Sequence, residues 1–228
     1  MNNKEVQNAE KKLAAEKAAE FVTDGMIVGL GSGSTVYFAI KKLGELVKSG
    51  LKFRAVSTSD STTELAQSSG ISLISIDETD NIDITIDGAD EADKNFDGIK
   101  GGGGALLFEK IVALYSKKNI WIIDSGKMVD KLGKFPLPVE VVPFGYKRVL
   151  RMFEEKNYNP VMRRKGDEFY FTDSGNYVVD LHFGAIADAS KLNAEIKMVT
   201  GVIETGLFIN IADMIIVGRN NSIEIINK

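Results

Sequence analysis

Through the first half of the chain, short apolar runs alternate with stretches of helical spacing. Around residues 4 to 22, Val6, Ala9, Leu13, Ala18 and Phe21 fall near a helical period, while Lys11, Lys12 and Lys17 occupy other faces as surface lysines. Asp24-Gly25 makes a turn before the apolar run 26 to 30, read as a short buried strand. That run enters Gly31-Ser32-Gly33-Ser34-Thr35 and then a helical stretch reaching about residue 47. Strands are expected over 53 to 57 and 71 to 76. Between them, Ser61 and Glu64 have the spacing of a capping box that opens a helix. The β-branched run 82 to 86, a helix over about 105 to 116 and the apolar run 119 to 123 continue the alternation. Strands and helices in alternation predict an α/β fold with a doubly wound, mostly parallel, Rossmann-like sheet.

The pattern changes at Gly133. Pro136, Pro138 and Pro143 crowd a short span that marks a crossing between units. Beyond it, 146 to 156 and 187 to 198 read as helices. The runs 160 to 164, 168 to 172 and 176 to 183 read as strands, split by turns at Gly166 and Ser174-Gly175. This is an α+β pattern. Two strand-like runs, 212 to 217 and 222 to 226, close the chain, and His182 sits on an alternating strand as a structural residue.

Composition narrows the function classes. Of 228 residues, 44% are hydrophobic, enough for a core. The formal charge of −4, from 28 basic and 32 acidic residues, argues against a nucleic-acid binder held by bulk charge. The absence of cysteine excludes disulfides and thiolate chemistry, and a single histidine argues against a zinc site. The polar start, MNNKEVQNAEKK, lacks the apolar core of a signal peptide, and no apolar run approaches the roughly 18 residues that span a bilayer. The expectation is a soluble, cytoplasmic protein with no nucleic-acid or membrane partner.

Candidate chemistry concentrates between residues 82 and 109. The strand there ends in Asp87-Gly88-Ala89-Asp90-Glu91, and open α/β sheets hold ligands at the carboxyl ends of their strands. Lys100 and the glycines Gly101, Gly102, Gly103 and Gly104 follow, a run whose N–H groups a ligand can approach without side-chain hindrance. Glu109 comes in the opening turns of the next helix. Carboxylates, one lysine and bare amides together suit proton transfer beside a developing oxyanion. The plainer alternative is a solvated acidic turn and a flexible linker, an odd thing to find between a buried strand and a helix.

The turn at 31 to 35 joins strand to helix and so points N–H groups and the positive helix end at an anion. It lacks the Gly-Lys-Ser/Thr ending of a nucleotide P-loop, and Ser34 replaces the third glycine of the dinucleotide pattern. The hydroxyls of Ser32, Ser34 and Thr35 suit the terminal phosphate of a small molecule, or cap the helix, or do both. Loops after successive parallel strands gather at one edge, so the Gly31 turn, Asp87 and Lys127 are expected in one cleft. From the residues alone, this is an enzyme of phosphorylated small molecules with a carboxylate base.

DGADE, KGGGGAL and FEKIV in this block resemble the type A ribose-5-phosphate isomerase family. GLGSGSTV from Gly29, TSDSTTELA from Thr58, DSGKMVDKLGKFPLPVEV from Asp124, and GLF with ADMIIVG near the end extend the match, in the family's order, over most of the chain. The resemblance implies interconversion of ribose 5-phosphate and ribulose 5-phosphate through a cis-enediolate, with no cofactor or metal. It implies Glu109 as the base, and Asp87 and Asp90 as holders of sugar hydroxyls, with Asp87 assisting ring opening. Lys100 and the N–H groups of Gly101, Gly102 and Gly103 would stabilise the enediolate oxygens, and Gly88 and Ala89 would line the substrate. Ser32, Gly33, Ser34 and Thr35 would bind the phosphate, with Lys127 nearby and Lys11 joining them. The tail would return to the first sheet. That gives an α/β catalytic domain over 1–132 and 205–228, with a smaller α+β domain over 133–204 inserted in it.

A homodimer or homotetramer is expected. Two other classes remain open at this stage. One is a non-catalytic sugar-phosphate sensor, for whose DNA-binding unit the single amino-terminal helix leaves no room. The other is an enzyme of related fold, such as an amino-sugar phosphate deaminase or a coenzyme A transferase.

Overall fold

The structure, a computed structural model, describes residues 3–228. The chain divides into two compact units. The first comprises the chain up to Ala89, Phe108–Met128 and Ile211–Lys228; the second comprises Asp90–Leu107 and Val129–Asn210.

A seven-stranded sheet organises the first unit. Across it the strands run Ser222–Asn227, Met214–Arg219, Asn119–Asp124, Ile84–Gly88, Ile27–Leu30, Arg54–Ser57 and Ser72–Leu73. Neighbours pair in parallel except at one edge, where Ser222–Asn227 runs antiparallel to Met214–Arg219. Ile84–Gly88 and Asn119–Asp124 are almost entirely buried, which is why they read as unbroken apolar runs. From Ile27–Leu30 the chain moves outward to Arg54–Ser57 and Ser72–Leu73, then crosses back to Ile84–Gly88 on the other side. This reversal is a switch point, and it opens a crevice at the carboxyl ends of the two central strands.

Helix Asn3–Ala19 lies on this sheet through its smallest residues. Ala14, Ala15, Ala18 and Ala19 are at most 1% exposed, whereas Leu13 is only half-buried. The buried face is alanine-lined: of the spaced positions Ala18 is buried, while Val6, Ala9, Leu13 and Phe21 are only half-buried. Close approach is the reason: a Cβ on Gly218 would lie 1.9 Å from the Glu10 carbonyl oxygen. Helix Ser34–Lys48 adds Val36, Ala39, Ile40 and Leu43 to the same core, against Val28, Leu30, Ile86, Ile120 and Ile216.

Two further expectations change. The run 71 to 76 keeps only Ser72–Leu73 as strand, since it lies at the sheet edge with one neighbour to pair with. Ser75 then opens a short 3-10 turn, Ile76–Glu78, its hydroxyl accepting from the Asp77 N–H and its own N–H donating to Glu78. Helix Asp60–Ser68 is capped by Ser59 and not by Ser61. Ser59 has the extended backbone a cap needs, and its Oγ accepts from the Thr62 N–H at 3.2 Å.

The second unit centres on a four-stranded antiparallel sheet, in the order Val202–Thr205, Leu137–Val141, Tyr177–Leu181 and Pro160–Met162. Helices Tyr146–Glu155 and Ala189–Lys197 bring Val149, Phe153 and Ile196 into a core with Leu137, Val139, Val141, Val179 and Leu181. Glu91–Ala92, Gly98–Ile99 and Leu207–Phe208 form a second, small sheet, and Arg164–Lys165 pairs with Glu168–Phe169. Leu137–Val141 is an interior strand where the proline cluster had predicted only a crossing. Pro138 fits because pairing with Val202–Thr205 ends at Val139, so its missing N–H breaks no bond on that side. The segment Asp90–Leu107, expected with the large sheet, belongs to this unit. Among the described residues no helix is long and apolar enough to cross a membrane.

Candidate active site

Strand Ile27–Leu30 delivers the chain to the glycine-serine turn, and helix Ser34–Lys48 starts immediately beyond it. Gly33 is the N-cap, at φ 97°, and has no side chain with which to cap. Ser34 and Thr35 therefore stand inside the helix and are not its caps. The first N–H groups of the helix have no intrahelical partners and face outward with the positive helix end behind them. Lys11, from helix Asn3–Ala19, reaches this turn and donates from Nζ to Ser34 Oγ at 3.1 Å. Ser32 behaves differently. Its hydroxyl is engaged by Thr58 at 2.9 Å, Ser59 at 2.8 Å and Thr62 at 3.2 Å. The Thr58-Ser59-Asp60-Ser61 stretch, whose own residues predicted only the opening of a helix, thus braces the turn; its density of hydroxyls was the available signal.

Asp87 comes against the same turn through strand pairing. The Gly31 N–H donates to the Ile86 carbonyl at 3.0 Å, continuing the ladder between Ile27–Leu30 and Ile84–Gly88. Asp87 Oδ1 then accepts from the Ser32 N–H at 3.2 Å and the Gly88 N–H at 2.7 Å. A Cβ at position 31 would fall 1.8 Å from that oxygen, so only glycine admits the carboxylate. Asp87 is 2% exposed, and Glu109, in the first turn of helix Leu106–Leu114, is 4% exposed. Burying carboxylates is costly unless they are hydrogen-bonded, which makes these two chemical candidates ahead of any surface acid. Lys127, in the Ser125–Lys127 turn after Asn119–Asp124, donates to the Ala89 carbonyl at 2.9 Å. The Gly31 turn, Asp87 and Lys127 share one sheet edge, with Lys127 seated on the Asp87 side.

Asp90, Lys100 and the glycine run lie in the second unit. The Asp90 N–H donates to the Ile99 carbonyl at 2.8 Å, and Asp90 Oδ2 accepts from the Gly102 N–H at 2.7 Å. Lys100 is 3% exposed; its N–H meets the Gly206 carbonyl at 2.9 Å and its Nζ stands 5.3 Å from the centre of the Phe208 ring. Gly101 and Gly104 take positive φ, 95° and 87°, the left-handed region that glycine enters without strain. Glu91, the third acid of the DGADE segment, is structural: its two oxygens accept from the Gly133 and Phe135 N–H groups, each at 2.7 Å. Arg163 and Tyr170, which hold the carbonyls of the glycine run, belong to no motif, and nothing in the sequence around them singled them out.

Taken unit by unit, these features define a class. A switch-point edge with an anion-ready helix end and buried carboxylates, together with bare glycine amides following a lysine, belongs to an enzyme of phosphorylated small molecules that moves protons with carboxylates. The family model of ribose 5-phosphate isomerase A (phosphoriboisomerase A) matches residues 54–222. Ribose-5-phosphate isomerase A of Listeria monocytogenes serotype 4b is 49% identical over 221 residues, covering 96% of this chain and 99% of its own. That of Bifidobacterium adolescentis is 52% identical over 221 residues, covering 96% and 95%. The crystal structure of ribose 5-phosphate isomerase A from Neisseria gonorrhoeae matches with a TM-score of 0.91 at 42% identity over 97% of each chain. A D-ribose-5-phosphate isomerase solved in complex with phospho-erythronic acid matches at 0.94 and 37% identity over 100% of each. The chain belongs to the ribose 5-phosphate isomerase A family. Its activity is that of an aldose–ketose isomerase acting on ribose 5-phosphate in the pentose phosphate pathway.

Proposed function

We propose that Glu109 carries the isomerisation as a single base acting through a cis-enediolate. One observation supports this above the rest. Glu109 is a buried carboxylate in the first turn of the helix that follows the glycine run, in a chain with no cysteine and one, exposed, histidine. In the open-chain aldose, Glu109 takes the proton from C2. The C–H electron pair becomes the C1–C2 double bond, and the carbonyl pair moves onto O1. A proton passes from O2 to O1, and protonated Glu109 returns its proton to C1, leaving the carbonyl at C2. Atoms and charge balance without a co-reactant.

Around that step each remaining residue has a role. Lys100 and the N–H groups of Gly101 and Gly103 would stabilise the enediolate oxygens, where charge develops only as the proton leaves, while Gly102 shapes the run with its N–H given to Asp90. Asp87 and Asp90 hold sugar hydroxyls, with Asp87 assisting ring opening, and Gly88, Ala89 and Lys127 line the sugar. Gly33, Ser34, Thr35 and Lys11 take the phosphate, and Ser32, its N–H and hydroxyl already engaged, shapes the turn that presents them. Phospho-erythronic acid, the ligand of the solved relative, carries a carboxylate one carbon short of the sugar and would offer its two oxygens to the same donors. The reading extends to a cytoplasmic homodimer or homotetramer.

Isomerisation run to equilibrium in heavy water tests the proton path. Ribulose 5-phosphate should acquire solvent deuterium at C1, and recovered ribose 5-phosphate at C2, read by NMR. Equilibrated sugars free of carbon-bound deuterium would mean a direct hydride shift and would remove the base from the mechanism.

A further inference from the structure

Within the second unit the glycine run is gripped by its carbonyls. Arg163 Nη1 donates to the Gly101 carbonyl at 2.7 Å and to the Gly102 carbonyl at 3.1 Å, and the Tyr170 hydroxyl donates to the Gly103 carbonyl at 2.9 Å. Three successive peptides are thus held from one side. A trans peptide is planar and sends its N–H opposite to its C=O, so these bonds also fix where the next three N–H groups point. Two of those already have acceptors: the Gly102 N–H meets Asp90 Oδ2 at 2.7 Å, and the Gly104 N–H meets the Gly101 carbonyl at 2.9 Å. Among the described residues the Gly103 N–H has no acceptor, and a Cβ built on Gly103 would meet nothing within 4 Å. The grip leaves one amide pointing into open space.

The gripping pair is itself preassembled. Asp180 takes the Arg163 guanidinium in a two-pronged ion pair, Nε to Oδ2 at 2.9 Å and Nη2 to Oδ1, with the two side chains only 14% and 18% exposed. The Arg163 N–H donates to the Val178 carbonyl, and the Tyr170 N–H donates to the Arg163 carbonyl. A Cβ on Gly104 would fall 2.3 Å from the Tyr170 hydroxyl, so glycine there is what admits the phenol. Burial, with the charge of Asp173, pushes the Tyr170 pKa up, and the phenol keeps the proton it donates. A plain staple for a flexible loop would need far less than a charge-paired guanidinium on two of its carbonyls.

We propose that Arg163 and Tyr170 are positioning residues for the isomerisation: by holding carbonyls 101 to 103 they aim and polarise the Gly103 N–H as a donor to the enediolate. This rests on the reading that the glycine amides and Lys100 stabilise that intermediate. An amide whose own carbonyl accepts from a guanidinium is the stronger donor, and a donor fixed in advance needs no reorganisation as charge develops.

The test compares Arg163→Lys, Tyr170→Phe and Lys100→Ala with the wild-type enzyme, in kcat and KM for ribose 5-phosphate and in melting temperature. Lysine keeps the charge but cannot fork between Asp180 and two carbonyls; phenylalanine removes one hydroxyl and keeps the ring. The expected result is kcat lower by about 10- to 100-fold in Arg163→Lys and about tenfold in Tyr170→Phe, with KM within about threefold, because the oxyanion exists only along the reaction. A staple without catalytic consequence would lower the melting temperature and leave kcat per folded molecule intact. That outcome in Tyr170→Phe, with Lys100→Ala impaired, overturns the proposal and leaves the enediolate reading standing. Wild-type kcat in Lys100→Ala overturns the reading itself. Should Arg163→Lys fail to fold, Tyr170→Phe decides alone.

Discussion

Lys11 Nζ stands 3.1 Å from Ser34 Oγ, so a phosphate arriving at the open amides of the turn would meet an ammonium already in place. A charged hydrogen bond of this kind is worth about 1.5–3 kcal/mol and is present before and during the reaction. Lys11→Ala should therefore raise KM about 10- to 100-fold and leave kcat within about threefold. Steady-state kinetics on ribose 5-phosphate measure both, and an unchanged KM would move the phosphate away from this turn. Periodicity could not have chosen Lys11, because Lys12 and Lys17 look the same in sequence; the crossing of helix and turn distinguishes it. Ser32 is the reverse case. Its hydroxyl suited a phosphate on paper, yet Thr58, Ser59 and Thr62 surround it, and its N–H is spent on Asp87.

Elements were legible where both faces of a strand are buried. Ile84–Gly88 and Asn119–Asp124 announce themselves as apolar runs for that reason. Strands of two residues, such as Glu91–Ala92, Gly98–Ile99 and Leu207–Phe208, are too short to carry a period, and Leu137–Val141 was hidden by Pro138 and the prolines flanking the strand. What joins elements was also out of reach. Asp83, just ahead of the central strand, accepts from the Ile27 N–H at 2.9 Å and from Lys117 Nζ at 2.8 Å. Its bond to Lys117, and then that to Ile27, holds the carboxyl below its ordinary value. The fold thus favours the ionised form, and the stabilisation is complete at neutral pH and is lost as pH falls through the lowered pKa. Asp83→Asn should cost about 1 kcal/mol at neutral pH, given the partial exposure of the pair. The gap from wild type, read by denaturant unfolding, should begin to narrow below about pH 4 and close as pH falls through the lowered pKa. A gap independent of pH would mean the charge of Asp83 contributes nothing.

For the whole molecule, alternation of strands and helices was enough to reach a doubly wound sheet, and topology alone carried the Gly31 turn, Asp87 and Lys127 to one edge. The reaction was legible only through motifs, since no rule of packing distinguishes an acid that takes a carbon-bound proton from one that caps a loop. Asp87, Asp90 and Glu91 illustrate this. They stand within five residues of one another, yet Glu91 is consumed by the Gly133 and Phe135 amides, and the chain passes from one compact unit to the other between Ala89 and Asp90. The most direct measurement of the central claim is the kinetics of Glu109→Gln, which keeps shape and hydrogen bonding but removes basicity, with Asp87→Asn beside it. Glu109→Gln should lower kcat by about 10²–10⁴-fold with KM nearly unchanged, and should exchange deuterium into the sugar only at its residual turnover. Near-normal kcat in Glu109→Gln, with exchange abolished in Asp87→Asn, would contradict the account and make Asp87 the base.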